Sequence, residues 1–106
     1  MLVTVFRSRL DPANVEEYYK MAARMSEMAR TMPGYISHKV FTAEDGERVT
    51  IVEFADAGGQ EGWRTREEHL GAQAKGRRDF YTEYKLQVCE VVRESVFNKA
   101  KKTTAA

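Results

Sequence analysis

Residues 35–55, YISHKVFTAEDGERVTIVEFA, decide which fold the chain adopts. Two runs rich in β-branched and aromatic residues flank Ala43-Glu44-Asp45-Gly46-Glu47, whose Asp-Gly pair supplies the positive φ that a tight hairpin needs. An antiparallel pair of strands follows. In the first run His38 alternates with Ile36 and Val40, which places it on the apolar side of its strand. A buried imidazole must be hydrogen-bonded or serve a function, so His38 reads either as a satisfied interface histidine or as the base of a pocket.

Upstream of the hairpin, LVTVFRSRL (2–10) is predicted to form a strand, with Leu2, Thr4, Phe6 and Ser8 on one face and Val3, Val5, Arg7 and Arg9 on the other. Asp11-Pro12 then offers an N-cap and a proline suited to a first helical turn. From Val15, the residues Tyr18, Tyr19, Ala22, Met25, Ala29 and Met32 step by three or four along one helical face, and Pro33-Gly34 ends the run. The methionines at 21, 25, 28 and 32 suit core packing or an adaptable pocket wall.

Downstream, Asp56-Ala57-Gly58-Gly59 breaks the strand, and EGWRTREEHLGAQAKGRRDFY (61–81) is predicted to run helically, bent or split by Gly71 and Gly76. The last stretch, LQVCEVVRESVF (86–97), reads as one long strand with apolar residues on both sides.

The resulting order, β-α-β-β-α-β, is the split arrangement of a ferredoxin-like α+β fold, with both helices on one face of a four-stranded antiparallel sheet. Apolar positions such as Val88 and Val91 leave the other face in need of cover, and pairing with a second copy predicts a homodimer. Residues 1–98 are expected to form the domain and 99–106 a flexible basic tail.

A net charge of +1, from 17 basic and 16 acidic residues, gives no broad field for nucleic acid or an anionic membrane. The acidic residues interleaved with Arg64, Arg66, Arg77 and Arg78 suit a solvated helix face. The lone Cys89 cannot form an internal disulfide and is expected to act as a small hydrophobe in its strand. No apolar run approaches the roughly 20 residues that cross a bilayer, and MLVTVFRSRL lacks the build of a secretory signal, so a cytoplasmic protein is expected. Neither a glycine-rich phosphate loop nor a metal-ligand spacing is present, and no nucleotide or metal is expected.

Taken in order, VFRSRLDP, the MPGY turn, ERVTIVEFADAGG, GWRTREEHLGAQAKGRRDFY and VCEVVRESVF resemble the antibiotic biosynthesis monooxygenase family over nearly the whole chain. The resemblance implies a dimeric α+β barrel, and an activity drawn from a mixed set that includes cofactor-free oxygenases of aromatic polyketides or quinols and haem-degrading enzymes. The haem-degrading members use an asparagine late in the first strand and a histidine ten residues after a helix tryptophan. Here Trp63 matches the tryptophan, but Ser8 stands at the asparagine position and Gln73 at the histidine position. The haem ligand is thus missing where it is expected, and His69, one turn away, could substitute only in a shifted or bent helix, so haem chemistry is the disfavoured alternative and no cofactor is expected.

A cofactor-free oxygenase must convert an aromatic substrate into an electron-rich anion that reduces dioxygen. That requires an apolar pocket, a proton acceptor and a donor to the oxyanion. The candidate pocket residues are Trp63, Gln73, Phe80, Tyr81, Tyr84 and Ser8; His38 or His69 is the candidate proton acceptor, and Arg66 or Arg77 the candidate anion stabiliser. The plainer readings stand beside these. Trp63, Leu70, Ala74, Arg77 and Tyr81 share a helical face, so Trp63 also fits a core anchor, and His69 beside Arg66, Glu67 and Glu68 also fits a solvated face. The expected function is thus a monooxygenase of a phenolic or quinol-type aromatic with dioxygen, or a non-catalytic small-molecule binding protein of the same fold.

Overall fold

A computed structural model describes residues 1–65, 71 and 74–100, with Arg64 described by its backbone alone. Strand β1 spans Leu2–Leu10, helix α1 Val15–Arg30, strands β2 and β3 Tyr35–Thr42 and Arg48–Phe54, helix α2 Ala57–Thr65, and strand β4 Tyr81–Glu90. The hairpin of β2 and β3 closes through Gly46 at φ 90°, with the Ala43 N–H donating to Glu47 O at 2.8 Å and the Glu47 N–H to Asp45 Oδ1 at 3.0 Å. All pairings are antiparallel and the strand order is β2-β3-β1-β4, a ferredoxin-like α+β fold.

Directly opposed residues of an antiparallel pair share a face. Phe6 stands opposite Thr50 on one side and Leu86 on the other, and Thr4 opposite Val52 and Val88, so these residues and His38, opposite Val52, form the helix-facing side. Among the described residues, Phe54, Phe80, Met28 and Ala29 are the buried apolar ones. The far side carries Val3, Val5, Phe41, Val49 and Ile51 by the same registers.

The β2–β3 register shifts between Tyr35 and Ser37, so that Tyr35 stands opposite Phe54 while Ser37 stands opposite Glu53. Strict alternation separates residues three apart onto opposite faces. The bulge returns Tyr35 to the face of His38.

Several boundaries differ from those the sequence predicts. Asp11 caps a short 3₁₀ turn, Pro12–Asn14, accepting from the Ala13 N–H at 3.0 Å, and α1 begins only at Val15. The second helix starts earlier, at Ala57, because Asp56 Oδ1 accepts the Gly59 N–H at 2.8 Å and caps the glycine-rich first turn. A π-helical turn, Gly76–Phe80, precedes β4, and Tyr81 is the first residue of β4 instead of the last of the helix. The cause is pairing: Tyr81 stands opposite Leu10, and the Asp11 N–H donates to Phe80 O at 2.7 Å.

Strand β4 stops at Glu90 and does not continue to Phe97. Its partner runs out, since Glu90 faces Leu2 and the final bond is Val91 N–H to Met1 O at 3.1 Å. Val92 and Phe97 are consequently 94% and 78% exposed. Val88 lies on the helix side, contrary to its assignment to the uncovered face, and is 44% exposed. Cys89, opposite Val3 on the far side, is exposed and not a packed hydrophobe. Residues 101–106 of the expected tail lie outside the described residues.

Candidate functional site

Between the sheet and the helices lies a cavity of about 380 Å³. The sheet contributes Thr4, Phe6, Thr50, Val52 and His38 as its floor. Helix α1 roofs it with Tyr18, Met21, Ala22, Met25, Ser26 and Ala29. Gln60 and Trp63 from α2, Arg77 and Phe80 from the π turn, and Tyr81, Tyr84 and Leu86 from β4 complete the wall.

The aromatic end is an interlocked cluster. The Phe6 ring centroid lies 5.4 Å from those of Tyr81 and Tyr84, and Tyr18 lies 5.8 Å from Phe80 and Tyr81 in edge-on contacts. Such edge-to-face pairs orient rings as well as bury them. Burial, reinforced by Tyr18, holds the Tyr81 phenol well above the ordinary tyrosine range and keeps it protonated. The Arg48 guanidinium stacks over Tyr18 and Tyr19 at 5.0 and 5.4 Å, backing the cluster from outside the cavity wall.

His38 is the polar centre of the other end. Its Nδ1 lies 2.6 Å from Tyr35 Oη and its Nε2 3.0 Å from Ser26 Oγ. Burial, and secondarily the charge of Arg30, lowers its pKa below the usual histidine value, so the neutral imidazole prevails at pH 7.

Of the residues singled out from the sequence, His38, Trp63, Arg77, Phe80, Tyr81 and Tyr84 meet around this one cavity. Trp63 is half-buried there, and Arg77 is exposed at the rim. Ser8 is buried opposite Arg48 and Tyr84, outside the lining. Arg66, His69 and Gln73 lie outside the described residues. Tyr18, Ser26 and Gln60 were not singled out as site residues. Ser26 carried a readable signal: four residues after Ala22 and three before Ala29, it is a polar residue on an apolar helical stripe. The methionines divide, with Met21 and Met25 on the cavity and Met28 in the core.

Residues 1–75 match the antibiotic biosynthesis monooxygenase family. The chain belongs to it. Among curated relatives of this family member, the uncharacterized protein YqjZ of Bacillus subtilis is 28% identical over 95 residues, covering 90% of this chain and 83% of YqjZ. The solved structure of Rv0793 from Mycobacterium tuberculosis superposes with a TM-score of 0.78 at 16% identity, covering 90% of this chain and 98% of that one. SnoaB from Streptomyces nogalater, a cofactor-independent oxygenase, gives a TM-score of 0.73 at 17% identity, covering 88% and 94%. At these identities the two structures establish the shared fold and not a shared substrate.

Proposed function

We propose that this family member is a cofactor-independent monooxygenase of a phenolic or quinol-type aromatic small molecule. The observation that carries the reading is a cavity of about 380 Å³ walled by aromatic and methionine side chains, with the neutral imidazole of His38 on its lining. His38 takes the proton, the protonated Tyr81 with Tyr18 stabilises the oxyanion, and Arg77 closes the rim on the anionic ligand. The electron-rich anion then reduces dioxygen. For an anthrone, one oxygen atom becomes the carbonyl at the former methylene carbon and the other leaves as water, so the substrate itself supplies every electron. The test is oxygen uptake with 1,8-dihydroxyanthrone: a rate above buffer, lowered by Trp63→Ala and at least about 100-fold by His38→Gln, is expected. A rate equal to buffer rejects the oxygenase.

A second reading, a small-molecule binding protein without turnover, is favoured by one feature: both ring nitrogens of His38 are already bonded to protein. Ligand binding to the cavity with no product over many hours selects it. In either case we infer a homodimer. The apolar far side of the sheet and the exposed Val92, Val96 and Phe97 beyond β4 are the surfaces a second copy covers.

A further inference from the structure

We propose that Ser26 is the cavity-side member of a three-residue relay, Ser26–His38–Tyr35, through which a substrate hydroxyl loses its proton to His38. The inference rests on the reading of His38 as the proton acceptor and specifies the chemistry that the acceptor can use.

The argument begins from valence. An imidazole has two nitrogens, and those of His38 are occupied by Tyr35 Oη at 2.6 Å and Ser26 Oγ at 3.0 Å. No ring nitrogen remains to meet a ligand directly. Of the two partners, Ser26 lines the cavity and Tyr35 does not. A hydroxyl has one hydrogen to donate and two lone pairs to accept with, so Ser26 can donate to Nε2 while accepting from a ligand hydroxyl. Its neighbours on that wall, Ala22, Met25 and Ala29, offer no competing polar side chain.

The relay specifies the tautomer: Nδ1–H donates to Tyr35 Oη, which leaves Nε2 to accept the Ser26 hydrogen. Deprotonation then breaks the substrate O–H bond and forms a new O–H bond at Ser26, while the original Ser26 O–H bond breaks and an N–H bond forms at Nε2. The products are a substrate oxyanion and an imidazolium that donates to Ser26 and Tyr35, with no change in electron count. The groups that face the ring are Tyr35 on its own strand, Ser26 on α1, and the Arg30 charge, which opposes the imidazolium until the oxyanion forms beside it. The ligand class is therefore an aromatic carrying an acidic hydroxyl, a phenol, a quinol or the enol of an anthrone, and not its ether.

The experiment compares 1-naphthol with 1-methoxynaphthalene, read by quenching of Trp63, the single tryptophan of the chain. The wild type should prefer the naphthol, and Ser26→Ala should lower that preference about five- to tenfold while leaving the ether unaffected. Ser26→Thr, which keeps a hydroxyl, should restore it. In parallel, imidazole ¹⁵N shifts should show Ser26→Ala changing the His38 titration and tautomer balance. An unchanged naphthol preference together with an unchanged His38 titration overturns the relay. A lost preference with no oxygen uptake from 1,8-dihydroxyanthrone in the wild type rejects turnover and leaves the relay standing as a ligand-recognition device.

Discussion

Replacing Gly76 with alanine tests whether the π turn is shaped by Tyr81. A Cβ built at Gly76 meets Tyr81 Cε2 at 2.7 Å, closer than carbon atoms pack, and Cδ2 at a tight 3.1 Å. Phe6, Tyr18 and Tyr84 hold the Tyr81 ring at centroid distances of 5.4, 5.8 and 5.8 Å, so moving it away from a new Cβ disturbs this cluster. Overpacking of this kind costs ~1–3 kcal/mol. Against it stands the gain of about 1 kcal/mol from replacing glycine by alanine in a helical segment, although a π turn recovers only part of that. The expected net loss is ~1 kcal/mol, or about 4–8 °C in Tm for a domain of this size. Urea and thermal denaturation of Gly76→Ala, Tyr81→Leu and the double variant form the cycle that isolates the clash. In the Tyr81→Leu background the penalty should vanish or change sign, because the colliding ring atoms are gone. Equal destabilisation in both backgrounds, or a Gly76→Ala variant as stable as wild type, refutes the reasoning.

The remaining predictions are shorter. His38 titrates below its unfolded value of 6.5, so between its folded pKa and 6.5 the unfolded chain binds more protons. Stability should therefore be full above about pH 6.5 and decline as pH falls through the folded pKa. His38→Gln should flatten that part of a urea-midpoint profile; the lowered carboxyls of Asp45 and Asp79 act only below their unfolded value of 3.8 and do not interfere. Sedimentation should give a dimer, in which a disulfide reagent labels Cys89 more slowly on concentrating the protein, since that thiol lies on the far side of the sheet. A monomer with concentration-independent labelling defeats the interface.

Much of the fold was readable because it depends on short-range pattern. The Asp-Gly turn, the helical stripe from Tyr18 to Ala29 and the Pro33-Gly34 stop each act over a few residues. The end of β4 was not readable, because LQVCEVVRESVF keeps strand character to Phe97 while the length of a strand is set by its partner, and β1 begins at Leu2. The helix ending departs from the local pattern for the same reason: Tyr81 fits the helical stripe, yet Leu10 and Asp11 capture the backbone beside it. Tertiary pairing overrode local propensity at both ends of one strand.

The site was legible in its residue types and illegible in its wiring. Trp63, Phe80, Tyr81 and Tyr84 stood out as aromatics within one stretch, and His38 as a polar residue on an apolar side. What joins His38 to Tyr35 is the bulge between Tyr35 and Ser37, and simple alternation predicts the opposite, that residues three apart in a strand face away from each other. What joins it to Ser26 is the docking of α1 on β2, a contact between residues 12 apart in sequence. The same docking explains the cavity. Where α1 crosses the sheet, Ala22, Ser26 and Ala29 face Thr4 and Thr50, so both layers present small side chains, while Phe54 and Phe80 fill the space at its margins. Large apolar residues at those small positions would bury more surface and stabilise the layer contact. Small residues facing one another across two layers, with Ser26 among them bonded to the neutral His38 imidazole, leave a cavity of about 380 Å³ in place of a tighter core.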